Sequence, residues 1–152
     1  MNENNIHDLI FNAHQIVLDT GVLIEYLENL NQKLVTWMDE KIFTKKSKLK
    51  ISAHEVNRAE LFYILCREKG EGEARKIMRE IENYITFHSE YEITEIAGKI
   101  KCKHSIALAD CFSMATAIWL DSPIILKKER ELTRSVINSL KKTFNTKLIV
   151  IG

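Results

Sequence analysis

Short apolar runs alternate along this chain with longer stretches in which apolar residues recur every three or four positions. The runs Ile16-Val17-Leu18, Ile124-Ile125-Leu126 and Leu148-Ile149-Val150-Ile151 are apolar throughout, as expected of strands covered on both faces of a parallel sheet. Strands are predicted over 15–18, 49–51, 84–87, 124–126 and 147–151. Between them, helical spacing predicts one helix with Val22, Leu23, Tyr26, Leu27 and Leu30, and a second with Leu34, Trp37, Met38 and Phe43. Further helices are predicted over about 53–68, 73–83, 93–101, 106–120 and 129–142. Ser52 and Glu55 have the spacing of a capping box at the start of the third, and Gly70 closes it. Strands alternating with helices imply an α/β fold, a three-layer α/β/α sandwich around a parallel sheet of four to five strands.

Residues 1–14 are polar apart from Leu9-Ile10-Phe11 and read as a tail or a short extra helix before a single domain over 15–152. No internal repeat, linker or low-complexity segment divides the chain. At 152 residues it is long enough to bury a core without staples. Its 45% apolar and 28% charged residues are ordinary for a globular protein. The formal net charge of +1 means that any nucleic-acid binding rests on a local basic patch. The three cysteines, Cys66, Cys102 and Cys111, form no CxxC pair, which argues against structural zinc and for reduced thiols. No apolar run approaches the roughly 18 residues needed to cross a bilayer, and the N-terminus lacks a basic signal-peptide region. A cytoplasmic protein without membrane association is expected.

Four acids stand in unusual settings. Asp19 follows the first strand directly, at the carboxyl end where open α/β sheets bind ligands. A helix cap is the plain alternative for it. Glu60 has Val56, Asn57, Tyr63 and Ile64 as its neighbours on one helix face, so it points toward protein; a distant ion pair would also account for it. Asp110 lies among Ile106, Ala107, Ser113 and Met114, with no charged neighbour three or four residues away. Glu129 follows the strand Ile124–Leu126 near a predicted helix start, where an exposed first-turn acid is equally natural.

Taken together, two acids after strands and two inward on helices would converge at one sheet edge. Two unit charges about 4 Å apart repel by roughly 4 kcal/mol at an effective dielectric of 20. Either a carboxylate stays protonated or a divalent cation neutralises the group. Oxygen ligands without His or Cys suit Mg²⁺ or Mn²⁺.

Four stretches in order, Val17-Leu18-Asp19-Thr20, Val56 to Tyr63 around Glu60, Leu108-Ala109-Asp110-Cys111-Phe112 with Ala115-Thr116-Ala117, and Ile125 to Leu132 around Glu129, resemble the PIN-domain family over about residues 15–152. The resemblance is particularly to archaeal and bacterial VapC-type toxins. Gly21 stands where that family often has Ser or Asn, His54 where a Ser or Thr often precedes the second acid, Lys127 where Thr or Ser is common, and Glu129 where Asp is usual.

The resemblance implies a metal-dependent endoribonuclease that leaves a 5′-phosphate and a 3′-hydroxyl. Asp19, Glu60 and Asp110 would be its metal-site acids, Glu129 would complete the catalytic group, and Thr20 would support the site. It also implies a homodimer and a VapB-like antitoxin, seated in a groove to which the helices carrying Val22–Leu30 and Leu34–Phe43 could contribute. A non-catalytic interaction module on the same fold and an RNA-processing PIN nuclease are the alternatives. Lys127, Lys128 and Arg130 flank the proposed site and are the expected RNA-backbone contacts; Lys45, Lys46 and Lys48 read more simply as a solvated face. Trp37, Tyr63, Phe112 and Trp119 are expected in the core or a dimer interface, and His54 at the surface of a helix start.

Overall fold

The computed structural model describes residues 13–145 and 147–152, so nearly all of the expected N-terminal tail or helix over 1–14 lies outside the described residues. Five strands, β1 (Gln15–Leu18), β2 (Lys50–His54), β3 (Ile85–His88), β4 (Ile124–Lys127) and β5 (Leu148–Ile151), form one sheet in the order β3-β2-β1-β4-β5. Every pairing is parallel, with Ile16 beside Ile51, Leu18 beside Ile125 and Ile125 beside Ile149. Seven helices are described: α1 (Thr20–Leu27), α2 (Gln32–Lys41), α3 (Glu55–Lys69), α4 (Glu71–Ile81), α5 (Tyr91–Lys103), α6 (Leu108–Trp119) and α7 (Arg134–Phe144).

Alternation along the strands divides the apolar runs between two cores. Ile16, Leu18, Ile51, Ala53, Ile125 and Ile149 meet Val22, Leu34, Leu61 and Ala74 of α1–α4 on one face. Val17, Ile124, Leu126 and Leu148 meet Ile93, Met114 and Leu140 of α5–α7 on the other. Both faces are dry, which is why the strand sequences are uniformly apolar. The chain steps outward from β1 to β3 and then returns to place β4 on the other side of β1. The gap between the carboxyl ends of β1 and β4 is therefore the topological switch point, the position where such sheets bind ligands.

Three local expectations are corrected. Ser52 is not a helix cap: β2 runs on to His54, because its ladder to β3 continues through the His54–His88 pair. His54 caps α3 instead, its Nδ1 accepting from the Val56 amide at 3.0 Å, and it is buried against the Phe112 ring rather than exposed. Glu129 does not open a helix. It lies in the turn after β4, closed by the Leu132 amide donating to the Glu129 carbonyl, and α7 begins after Thr133, whose hydroxyl accepts from Val136.

Candidate metal centre

Asp19 occupies the first residue after β1 and caps α1. Its Oδ2 accepts from the Gly21 amide at 3.4 Å, and its Oδ1 accepts from the Ser113 hydroxyl at 3.0 Å. It is buried, and its backbone amide remains tied to β4 through the Ile125 carbonyl. Gly21 is small for a steric reason. A Cβ there would stand 2.9 Å from Cβ of Lys127, whose stem crosses the start of α1 from β4.

Asp110 lies in the first turn of α6 and is buried, with an Oδ2 that has no hydrogen-bond partner. Burial pushes its carboxyl up to about 7, and Asp19, Glu129, Glu60 and Glu131 add to the shift in that order. Asp19 is pushed up to about 6, again first by burial. The Ser113 hydrogen bond opposes that rise and the Glu60 charge reinforces it.

The four acids singled out in the sequence are thus brought into one electrostatic neighbourhood from four elements: β1, α3, α6 and the turn after β4. Among the described residues, the distant ion pair that was the plain alternative for Glu60 and Asp110 is not found, whereas Asp19 does cap α1 and Glu129 is exposed. Among the described residues, no Lys or Arg forms a salt bridge with Asp19, Glu60, Asp110 or Glu129.

No three His, Cys, Asp or Glu side chains among the described residues stand as a ready-made metal cage. The donor set nevertheless fits a hard divalent cation. Mg²⁺ keeps several waters and is usually held by one or two carboxylates together with substrate phosphate, so a closed protein shell is not required. Asp110 Oδ2, buried, unpartnered and surrounded by like charge, is an oxygen that such an ion would satisfy.

Three contributors were not identified from sequence. Ser113 hydrogen-bonds Asp19 from α6, Glu131 adds charge from the β4–α7 turn, and Asn57 is fully buried with its amide bridging Thr20 and Ala109. Helical spacing was the available signal for two of them, since Asn57 precedes Glu60 by three residues and Ser113 follows Asp110 by three.

The proposed RNA cations divide. Lys127 Nζ pairs with Glu25 at 3.2 Å, whereas Lys128 and Arg130 are exposed beside Glu129. Of the aromatics expected in the core or a dimer interface, Phe112 packs on His54, while Tyr63 and Trp119 are exposed on the single chain, Tyr63 beneath the Arg67 guanidinium at 5.0 Å and Trp119 edge-on to His88. Cys66, Cys102 and Cys111 are all free thiols, and burial pushes Cys111 up to about 11. Among the described residues, no helix is long and apolar enough to cross a membrane.

The PIN domain family model matches residues 16–135. Solved structures with the same fold include VapBC2 from Rickettsia felis, crystallised with a promoter DNA fragment. It has a TM-score of 0.66 at 12% identity, over 90% of this chain and 98% of that one. VapBC-1 from nontypeable Haemophilus influenzae gives a TM-score of 0.60 at 13% identity, over 90% and 97% of the two chains. FitAcB from Neisseria gonorrhoeae gives 0.57 at 20% identity, over 88% and 96%. No curated protein matches the chain in sequence.

Proposed function

The chain belongs to the PIN-domain family, and on that premise we propose that it is a divalent-metal-dependent endoribonuclease acting as the toxin of a toxin–antitoxin pair. The observation that carries this reading is the pair of buried carboxylates, Asp19 and Asp110, with neighbouring acids and, among the described residues, no Lys or Arg in a salt bridge with them. An RNA phosphate could not approach such a cluster unaided, because it would add negative charge to a site already short of positive charge.

A bound Mg²⁺ or Mn²⁺ supplies a water of lowered pKa and stabilises the charge that develops on the phosphodiester. Asp19 and Asp110, with Glu60 beside them, would hold the ion together with water and substrate phosphate. Asp19 is fixed by the Ser113 hydroxyl, and Asp110 offers its free Oδ2. Glu129, exposed in the turn after β4, adds its charge to that of Asp110 and would complete the group. Thr20 supports the site through its bond to Asn57. The incoming water oxygen becomes part of the 5′-phosphate, and the bond to the 3′ oxygen breaks to leave a 3′-hydroxyl. Lys128 and Arg130 supply backbone contacts, with Lys127 screened by Glu25.

The partner reading rests on the neighbours, which are components of toxin–antitoxin complexes, and on a cavity of about 240 Å³ between α1, α2 and α4. Leu23, Tyr26, Phe43, Ile77 and Tyr84 line it and Asp39 and Glu80 flank them, a composition suited to an apolar antitoxin segment with a basic flank. A homodimer would cover exposed apolar side chains of α5 and α6 such as Tyr91 and Trp119.

The direct test is cleavage of labelled single-stranded RNA by the purified protein with Mn²⁺, with chelator, and with Asp19→Ala. Cleavage only in the wild type with metal supports the reading, and cleavage that survives both chelator and Asp19→Ala overturns it. A protein that binds Mn²⁺ but leaves every RNA intact is the non-catalytic module instead.

A further inference from the structure

We infer that Asn57 is a positioning residue of the metal centre, clamping the Asp19 and Asp110 segments onto the helix that carries Glu60. The inference rests on the metal-dependent reading above and concerns a residue outside the acid set. Asn57 is 1% exposed, in the first turn of α3. Its Nδ2 donates to Thr20 Oγ1 at 3.2 Å and to the Ala109 carbonyl at 3.2 Å. Thr20 immediately follows Asp19, and Ala109 immediately precedes Asp110. Glu60 lies one turn further along α3 on the same face as Asn57. One amide group thus spans three chain segments, each of which carries a proposed ligand within three residues.

The chemistry of the position selects the side chain. Both partners present oxygen acceptors, so the residue between them must offer two N–H donors from one atom, which an Asn amide does. An isosteric Asp would set a carboxylate oxygen against the Ala109 carbonyl, which can only accept, and an isosteric Leu would take away the donor to both partners in a dry interior. α6 begins without a side-chain cap, Ala107 offering none, and the Asn57 amide on the Ala109 carbonyl ties its first turn to α3. The first turn of α6, with Asp110 in it, is therefore held from outside its own helix.

A residue that merely satisfies buried polar groups would affect stability alone, whereas a positioning residue changes how well the acids hold a cation. The test is Mn²⁺ titration of the full-length protein, read by the electron paramagnetic resonance of free Mn²⁺, with urea unfolding in chelator run in parallel. Wild type, Asn57→Leu, Thr20→Val and the double variant are compared.

Asn57→Leu is expected to weaken Mn²⁺ binding by about 10- to 100-fold, the range typical of groups that orient metal ligands. Thr20→Val, which removes the far end of one bond and leaves α3 untouched, is expected to weaken it less. The double variant should fall no further than Asn57→Leu, since the two residues act through a shared bond. Mn²⁺ affinity within twofold of wild type in the folded variants, whatever their loss of stability, assigns Asn57 to packing and overturns the inference. Should Asn57→Leu fail to fold, Thr20→Val decides alone by the same criterion. A wild type that leaves Mn²⁺ free overturns the metal reading and this inference together, whereas a wild type that binds while the variants match it overturns this inference only.

Discussion

The acids at the switch point and those on the outer face of α3 and α4 are handled in opposite ways. On the outer face, Glu82 receives two bonds from the Arg58 guanidinium, Glu55 pairs with the same arginine at 3.6 Å, and Glu71 pairs with Arg75. These side chains are largely exposed, and water would solvate them in any case. At the switch point Asp19 and Asp110 are pushed toward neutrality first by burial and then by neighbouring acids, and among the described residues no arginine or lysine pairs with them. The chain places its cations where acids need them least. A buried charge costs far more than an exposed one, so the unmatched pair works against stability, which is the cost the proposed metal ion would offset.

Removing the unmatched acid should have the largest consequence. Asp110→Asn is expected to cut Mn²⁺-dependent RNA cleavage by about 10³-fold, equivalent to about 4 kcal/mol of lost charge stabilisation, with an unchanged circular dichroism spectrum. Cleavage within tenfold of wild type would remove the distinction between the two regions.

Supplying the missing cation comes next. Mn²⁺ at about 100 times its Kd should stabilise the protein by about 2.7 kcal/mol, roughly 5–10 °C in Tm, and should leave Asp19→Asn unmoved.

The pH dependence follows from the raised carboxyl values. An acid whose folded value lies above its unfolded value contributes stability that is complete below the unfolded value, here 3.8, and is lost as pH rises through about 6 for Asp19 and about 7 for Asp110. Metal-free protein should therefore be more stable at pH 5 than at pH 8, by an amount on the order of 2–3 kcal/mol from these groups. Urea unfolding in chelator measures it, and Asp110→Asn should flatten the slope.

The smallest effect belongs to the matched region. Glu82→Gln should cost about 0–1 kcal/mol of stability and leave cleavage unchanged, because an exposed pair is weakly coupled. A loss of cleavage there would move the functional surface toward α3 and α4.

Much of the fold was legible because both sheet faces are covered. Uniformly apolar runs such as Ile124–Leu126 admit little else, and four of the five strands fall within a residue or two of their predicted positions. The errors cluster at the carboxyl ends of strands. At Ser52 a good capping pattern lost to continued pairing of β2 with β3, and at Glu129 a turn held by its own backbone bond displaced the helix start to Arg134. Local signals are weakest there, because partners distant in the chain decide where a strand stops. Tyr63 illustrates the same limit: its helical spacing allowed the core or an interface between chains, and only packing decides that this side of α3 faces away from the core.

Sequence alone determined that Asp19 would end a buried strand and that Asp110 would sit in an uncharged helical turn, because apolar periodicity and the absence of nearby cations are local facts. It also carried the family resemblance, since the acids keep their order along the chain. Tertiary structure alone decided that, among the described residues, no distant lysine or arginine pairs with these acids, that Lys127 turns to Glu25, that Asn57 bonds Thr20 and Ala109, and that Ser113 bonds Asp19. Hydrogen bonds spanning 37, 52 and 94 residues leave no periodic trace, because their geometry exists only once β1, α3 and α6 have packed around the switch point.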